Sequence, residues 1–370
     1  RVTDADPHNQ TTKIKGLKLK NLQIRLIEDE LDRAAAYLEF SEQLKATPSG
    51  TAFYQFTRGY ILRQLFEAAR LHFTNGQQPR AVEILELTLE TAHQFYRESP
   101  GDVEVLTNLG TTASLLARII RGSDHTRSLK ILEEALNAIE PTITESSTVS
   151  NRLLSLVNLN LIKGQILTSQ SADATAAESA LRKSTTYSQQ VVEEFPNMES
   201  TLLGAPVTFA SLVTALQQQG RRNEAFTITR DYMMPNIVRL RSLFPSEAAD
   251  NEYTRALSYF DEYFYHVKQD FQSAYIVATE NKFLVDTILS RDPNNKIATT
   301  NLPLTYGNLY RSAIRKQWYN VISRHADTFT RLIAKDVKSA MQIAMLISLG
   351  YAADKDYQAL LNHCDERMNF

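Results

Sequence analysis

Cysteine is almost absent from this sequence, since Cys364 is the one thiol among 370 residues. A single thiol cannot form an intramolecular disulfide, a redox pair or a zinc site built from cysteines. Long apolar runs are missing as well. The longest weakly interrupted one, residues 340–353, falls short of the roughly twenty residues that span a bilayer. We therefore predict a buried helix there and no segment of the chain inserted in a membrane.

The sequence motifs of common catalytic and cofactor sites are also missing. There is no Walker loop and no G-x-G-x-x-G, H-E-x-x-H or G-x-S-x-G pattern, and the histidines never recur at a spacing of three or four. His363 and Cys364 are adjacent, but neighbours on a helix point about 100° apart and cannot readily share a proton. The sequence predicts a protein that is not an enzyme and holds no cofactor or metal.

Neither sign of charge is in excess. With 40 basic and 42 acidic residues the net charge is -2, so the chain as a whole lacks the basic field that nucleic-acid binding requires. One basic segment, KIKGLKLK at 13–20, could contact acidic lipid or nucleic acid. Because EDELD follows at 28–32, the pattern favours a solvated first helix. We predict no nucleic-acid partner.

Glycine and proline are scarce, with 12 and 11 residues, and the long segments between them carry apolar residues at helical spacing. Phe209, Leu212, Val213 and Leu216, for example, follow the three-and-four spacing that places them on one helix face. No segment alternates in the manner of a strand. The chain is predicted to be all helix.

The prolines recur at the ends of long amphipathic segments, where they act as helix stop signals. Their intervals lie between 41 and 55 residues, a regularity that indicates an internal repeat. The positions are 7, 48, 100, 141, 196, 245 and 293.

Short polar turns followed by a small residue lie inside these intervals: GQQPRA (76–81), GRRNEA (220–225), QDFQSA (269–274) and DKDYQA (354–359). The glycine suits a left-handed helix C-cap, and the alanine lets the second helix approach the first. With these turns and closing prolines the chain resembles the tetratricopeptide repeat family, in a long-helix variety. The resemblance implies a right-handed superhelical solenoid of antiparallel helix hairpins, an all-α fold.

We divide the chain into eight hairpins that form a single solenoid, because one hairpin cannot bury its apolar faces alone. The start DADPHN (4–9) is so similar to SRDPNN (290–295) that we predict a fragment of a larger protein. The predicted hairpins are 8–48, 49–100, 101–141, 142–196, 197–245, 246–293, 294–335 and 336–370.

An aromatic stretch, YFDEYFYHVKQDF at 259–271, is the densest in the sequence. At 100° per residue one line of side chains forms a core stripe, and Tyr259, Tyr263 and His266 form a second line bordered by Arg255 and Glu262. This second line predicts either a recognition surface or packing on an adjacent helix. The core stripe is Tyr253, Ala256, Leu257, Phe260, Phe264, Val267 and Phe271.

The register of this stretch is left open by the sequence. Counting back from the QDFQSA turn puts Tyr259, Tyr263 and His266 in the concave groove. Taking Leu257, Phe260 and Phe264 as the core moves the groove to Arg255, Ser258, Glu262 and Tyr265. Polar residues inside other first helices, above all Asn158 and Asn160, are further groove candidates, because asparagine can bind an extended peptide backbone or satisfy a neighbouring helix.

These patterns predict a scaffold that binds a protein or peptide in a concave groove. By family resemblance it would be the C-terminal region of a bacterial signalling or regulatory protein, in either the cytoplasm or the periplasm. Two alternatives stay open. One is a domain that senses a small molecule near Tyr259 and His266, in the periplasm for example. The other is an oligomerisation scaffold in which MQIAMLISL (341–349) packs on a second copy as a homodimer.

Overall fold

The computed structural model describes residues 7–45, 52–143, 150–170 and 173–316, and every regular element in these ranges is helical. Short turns of other helix types interrupt or follow the α-helices: a 3₁₀ turn at Glu140–Thr142 and π turns at Thr229–Met233 and Phe264–Lys268. The α-helices are α1 (Pro7–Arg25), α2 (Glu30–Lys45), α3 (Ala52–Thr74), α4 (Gln78–Glu98), α5 (Val103–Ile120), α6 (His125–Ile139), α7 (Ser150–Gln170), α8 (Ala174–Glu194), α9 (Glu199–Gln218), α10 (Arg222–Ile228), α11 (Met234–Leu243), α12 (Glu247–Tyr263), α13 (Phe271–Arg291) and α14 (Lys296–Arg315).

These helices belong to two compact units, Arg1–Glu194 (unit 1) and Phe195–Phe370 (unit 2). Consecutive helices pack side by side within each unit, as α7 does with α8 and α12 with α13. First helices of neighbouring hairpins also pack on one another: α3 on α5 and α5 on α7 in unit 1, and α9 and α14 on α12 in unit 2. The predicted fold class, an all-α helical repeat, is confirmed.

At three of the predicted turns the first helix is followed by a residue in the left-handed backbone conformation. Gly76 and Gly220 follow α3 and α9 with φ of 74° and 77°, a region that glycine adopts without steric cost. The next amides, those of Gln77 and Arg221, donate back into the last turn of the helix at 2.9 and 2.8 Å, as in a Schellman motif. Gln269 takes the same conformation in the third turn, with φ of 52°. The chain therefore reverses direction where these turns predict it.

First helices of neighbouring hairpins meet at a similar sequence separation in both units. In unit 1, Arg121 at the end of α5 donates to Gln165 of α7, at a separation of 44 residues. In unit 2 the hydroxyls of Thr214 and Tyr259 are 3.2 Å apart, at a separation of 45 residues. A constant separation means that equivalent positions of successive hairpins face each other, which is the structural meaning of a repeat.

Glycine permits a close approach between two first helices of unit 1. A Cβ built on Gly110 of α5 would lie 2.6 Å from Cβ of Ser155 on α7, closer than real side chains come. Where α7 meets its own second helix, a Cβ on Gly164 would lie 2.5 Å from Cγ of Leu181 on α8. The helices of unit 1 therefore pack nearly backbone to backbone at these points.

The division into eight hairpins stays a prediction. Pro100, Pro141, Pro196, Pro245 and Pro293 do lie just beyond the ends of α4, α6, α8, α11 and α13. The last predicted turn, the cysteine and the MQIAMLISL segment lie outside the described residues.

The aromatic stretch corrects the predicted core stripe. Ala256 and Leu257 are buried as predicted, but Phe260 and Phe264 are only half-buried and Tyr263 takes the core position, with 8% exposure. Tyr263 is buried because it stacks on Phe226 of the neighbouring hairpin. The π turn Phe264–Lys268 inserts an extra residue and rotates only the residues beyond it. Tyr253, Val267 and Phe271 are also half-buried. A wheel at a constant 100° per residue cannot account for such an insertion.

Candidate functional site

In unit 2 the predicted aromatic site is divided between packing and solvent. Tyr263 stacks on Phe226 with ring centroids 3.9 Å apart and planes 13° from parallel, so it belongs to the core. The Tyr259 hydroxyl lies 3.2 Å from the Thr214 hydroxyl of α9, and burial raises the pKa of the phenol. Both tyrosines therefore serve helix packing, the second of the two interpretations that the sequence left open.

Three of the predicted residues remain at the open edge of α12, and we call Arg255, Glu262 and His266 the α12 edge. Arg255 forms an ion pair of 3.1 Å with buried Glu252. Burial raises the pKa of Glu252, and the positive charge of Arg255 acts to lower it. Gln217 of α9 donates to Glu262 at 3.2 Å. These side chains are half-exposed and partly committed to neighbours.

His266 is the exposed member of the α12 edge and lies inside the π turn. Partial desolvation lowers its pKa, the charge of Arg311 lowers it further, and Glu262 opposes both. Its imidazole is therefore neutral at pH 7, with one nitrogen to donate and one to accept. The α12 edge draws on both registers that the sequence left open, because the π turn shifts His266 relative to Arg255 and Glu262.

Asp261 lies behind the α12 edge and was not singled out by the sequence. It is 1% exposed, and neither carboxylate oxygen has a hydrogen-bond partner among the described residues. Burial raises its pKa to about 7, although the charge of Arg311 acts to lower it. Asp261 therefore titrates near neutral pH inside the packed part of unit 2.

The two candidate asparagines of unit 1 have different environments. Asn160 is buried, donates to the Leu156 carbonyl at 3.0 Å and lines a groove of about 250 Å³ between α6, α7 and α8. Ion pairs of Lys163 with Glu133 and of Lys183 with Glu140 flank this groove. Asn158 is exposed on the opposite side of α7. Asn158 is therefore accessible on the surface formed by the first helices, and Asn160 is not.

Asn158 belongs to a larger surface that we call the first-helix face of unit 1. It is the side of α3, α5 and α7 that points away from the second helices. Contacts of Gly110 with Ser155 and of Arg121 with Gln165 fix the sides on which α5 and α7 meet, and the face lies beside them. Its exposed members are Arg63, Arg70, Thr111, Arg118, Leu154 and Asn158.

Charge on this face is partly neutralised. Arg63 pairs with Glu104 at 3.6 Å and Arg70 with Glu67 at 2.9 Å. Arg118 has no carboxylate partner among the described residues. Desolvation lowers its pKa, as does the charge of nearby Arg121. Arg118 is thus an available cation on α5, the middle helix of the three that form the face.

Sequence reasoning missed Arg118. A signal was present, since Glu104, Thr111 and Arg118 recur every seven residues among apolar neighbours and so mark the solvent side of α5. Whether such an arginine has a carboxylate partner is decided by the adjacent hairpin, which the helix itself does not reveal.

Among the described residues no group of three or more histidine, cysteine or acidic side chains could hold a metal ion. One described helix, α9, is long and apolar enough to cross a membrane, yet 61% of its apolar window is buried inside the protein. A helix in the centre of a packed unit is also apolar on all sides, because every side contacts other helices.

The fold and these surfaces define a class, the all-α proteins built from tandem helix hairpins. No protein-family model matches the sequence, and no curated protein matches it. Among solved structures the chain is similar to the S. pombe nuclear import adaptor Nro1, with a TM-score of 0.52 and 10% identity over 85% of this chain and 99% of that one. A second structure of Nro1, described as a hypoxic regulator of sterol synthesis and nuclear import adaptor, gives 0.51 and 10% identity over 92% and 100%. At this identity the similarity shows the fold alone.

Proposed function

We propose that this protein is a non-enzymatic binding module of the long-helix tetratricopeptide-like type, and that a protein or peptide segment binds its first-helix face. One observation carries the proposal: successive first helices of unit 1 expose the same side while the other sides are packed. A surface presented at each repeat suits an extended ligand, because each hairpin can contact the next stretch of it. The α12 edge is proposed as a second contact surface in unit 2.

The chemistry of the first-helix face supports recognition of a polypeptide. The free amide of Asn158 can donate to and accept from a peptide backbone. Arg118 can bind a carboxylate with two parallel hydrogen bonds, and Leu154 offers an apolar contact one turn before Asn158 on α7. Polar groups around a small apolar area are typical of a reversible protein interface. A ligand with an acidic side chain opposite Arg118 fits this pattern best.

The description of Nro1 as an import adaptor is compatible with an adaptor role for this chain, although that role belongs to Nro1. The predicted bacterial signalling context has no support from the similar structures, which are of an S. pombe protein. Of the two alternatives, the small-molecule sensor has less support, because Tyr259 and Tyr263 pack against other helices and only His266 of that line is exposed. The oligomerisation segment MQIAMLISL lies outside the described residues.

Selection of peptides from a displayed library against the purified chain tests the proposal. Selected peptides should bind Arg118→Glu at least about fivefold more weakly, because a cation that meets an acidic ligand is replaced by a like charge. Lys130→Glu provides the control: Lys130 is an exposed lysine of the second helix α6, whose only described contact is a 3.9 Å pair with Glu134. The same peptides should bind this control normally. Peptides that are insensitive to Arg118→Glu and to Asn158→Arg would contradict the proposal.

A further inference from the structure

Helix α1 has two apolar stripes on opposite sides. Leu17 and Ile24, seven residues apart, are buried against the rest of unit 1. On the other side Leu19, Leu22 and Leu26 are exposed by 59%, 56% and 80% of their surfaces. Three leucines at this exposure on one helix form a contiguous apolar surface, which in a soluble protein usually marks an interaction site.

The spacing of the exposed leucines indicates what kind of partner they fit. Leu19, Leu22 and Leu26 lie three and four residues apart, so they take positions a, d and a of a heptad. Helical geometry extends to the last of them, because the Leu26 amide still donates to the Leu22 carbonyl at 3.3 Å. A stripe limited to a and d is the narrow seam of helix-on-helix packing, whereas helices that lie in a membrane surface have a broader apolar face. We call Leu19, Leu22 and Leu26 the α1 seam.

The charge beside the α1 seam is of one sign. Helix α1 contains no aspartate or glutamate, so its basic side chains are not neutralised within the helix. With Leu19 and Leu26 at a, Lys18 and Arg25 both occupy position g, which flanks a helix interface. Neither has an ion-pair partner among the described residues, and both are exposed. Basic g positions select a partner helix with acidic residues opposite them.

We propose that the α1 seam docks an amphipathic helix of another protein that carries leucine-like residues along its seam and glutamate or aspartate at its flanks. A second copy of this chain fits less well. Antiparallel pairing of two α1 helices would place Lys18 and Arg25 against the same basic residues of the other copy. Parallel pairing would place Lys18 against Gln23, an e position, without an ion pair, and the e position that faces Arg25 falls at residue 30, beyond the end of α1. This surface is separate from the first-helix face, so either proposal can fail without the other.

Two synthetic peptides of about three heptads each test the inference, both with leucine at a and d. One carries glutamate at e and g, and the other carries lysine there. Binding of each labelled peptide to the full chain is measured by fluorescence anisotropy at low and high salt. The acidic peptide should bind, more weakly at high salt because screening weakens exposed ion pairs, and the basic peptide should not bind.

Variants of the full chain assign the binding to the seam. Leu22→Glu should weaken binding of the acidic peptide by about tenfold or more, since a seam leucine is replaced by a charge. Lys18→Glu together with Arg25→Glu should reverse the preference towards the basic peptide. Lys20→Glu is the matched control, because Lys20 is exposed on α1 at position b, away from the seam, and binding should change less than about twofold. Leu22 is more than half exposed, so Leu22→Glu should leave the melting temperature unchanged.

Three results would overturn the inference. The first is absence of binding to the acidic peptide, or binding that Leu22→Glu and Lys20→Glu affect equally. The second is wild-type binding to phosphatidylserine vesicles without binding to the acidic peptide, which would identify the surface as a membrane contact. The third is a dimer in sedimentation that Leu22→Glu dissociates, which would identify a second copy as the occupant.

Discussion

The buried carboxyl of Asp261 should make the stability of unit 2 depend on pH. Its pKa rises from 3.8 to about 7 on folding because burial disfavours the charged form. A folded pKa above the unfolded value means that the folded state holds the proton more tightly. Stability from this group is therefore complete below pH 3.8, falls as pH rises towards 7, and is constant above that.

The magnitude depends on the size of the shift. Each unit of pKa corresponds to about 1.4 kcal/mol, so a shift of about three units lowers the free energy of unfolding by about 4 kcal/mol between pH 4 and 8. This value is an upper bound, since water reaching the carboxylate or a movement of Arg311 would reduce it. The slope should be steepest between pH 5 and 7, at up to about 1.4 kcal/mol per pH unit.

Asp261→Asn isolates this effect, because the amide has the shape of the acid and no charge. The free energy of unfolding of both proteins is measured by urea denaturation from pH 4 to 8, and the wild-type value is subtracted from that of the variant. The amide adds a constant cost for its own unpaired groups, so the change with pH is the diagnostic quantity. The difference should rise with pH by one to a few kcal/mol in favour of the variant, up to about 4.

Asp231→Asn serves as the control, because Asp231 is an exposed aspartate on the first π turn. Its ion pair with Arg230 lowers its pKa, so its difference from wild type should change only at the acid end of the range and stay constant between pH 5 and 8. A difference for Asp261→Asn that stays flat between pH 5 and 8 would refute the reasoning, and so would one that falls with pH. Either result would mean that the carboxylate is hydrated or paired in solution.

Two further predictions concern packing. Gly110→Ala should destabilise unit 1 by about 1 to 3 kcal/mol, since its methyl would meet Ser155. Gly204→Ala, on the open side of α9, should stabilise by about 0.5 to 1 kcal/mol. Thermal melting of both variants measures the two changes, and changes of the same sign would contradict the packing described. Tyr263→Ala should cost about 3 kcal/mol through loss of the stack on Phe226, and a cost below about 1 kcal/mol in urea unfolding would show that the ring is not part of the core.

The turns illustrate which structural features can be predicted from local sequence. The left-handed conformation at Gly76 and Gly220 is a property of one residue and its two neighbours, so a glycine in a polar turn after an apolar helix predicts it. The sequence predicts the repeat for a similar reason. Because hairpins of similar length stack on equivalent positions, the prolines and polar turns recur, and contacts between neighbouring first helices have separations of 44 and 45 residues.

The aromatic stretch illustrates which structural features cannot be predicted from local sequence. The placement of Tyr263 in the core depends on a stack with another hairpin, and the placement of His266 in solvent depends on a residue inserted by a π turn. Tyr263 stacks on Phe226, which lies on a different hairpin. The neighbouring hairpin therefore selected the register, and the pattern within the stretch could not.

Three properties of this protein could be predicted from its sequence: it is helical, its helices form hairpins, and the hairpins repeat. Those properties depend on helical spacing and turn chemistry, which act over a few residues. Which polar side chains are free depends instead on how the hairpins pack together. Asn158 is exposed and Asn160 buried two positions away, and Arg118 lacks a carboxylate among the described residues while Arg63 has one. Burial and pairing are set by atoms from other hairpins, and no single helix carries that information.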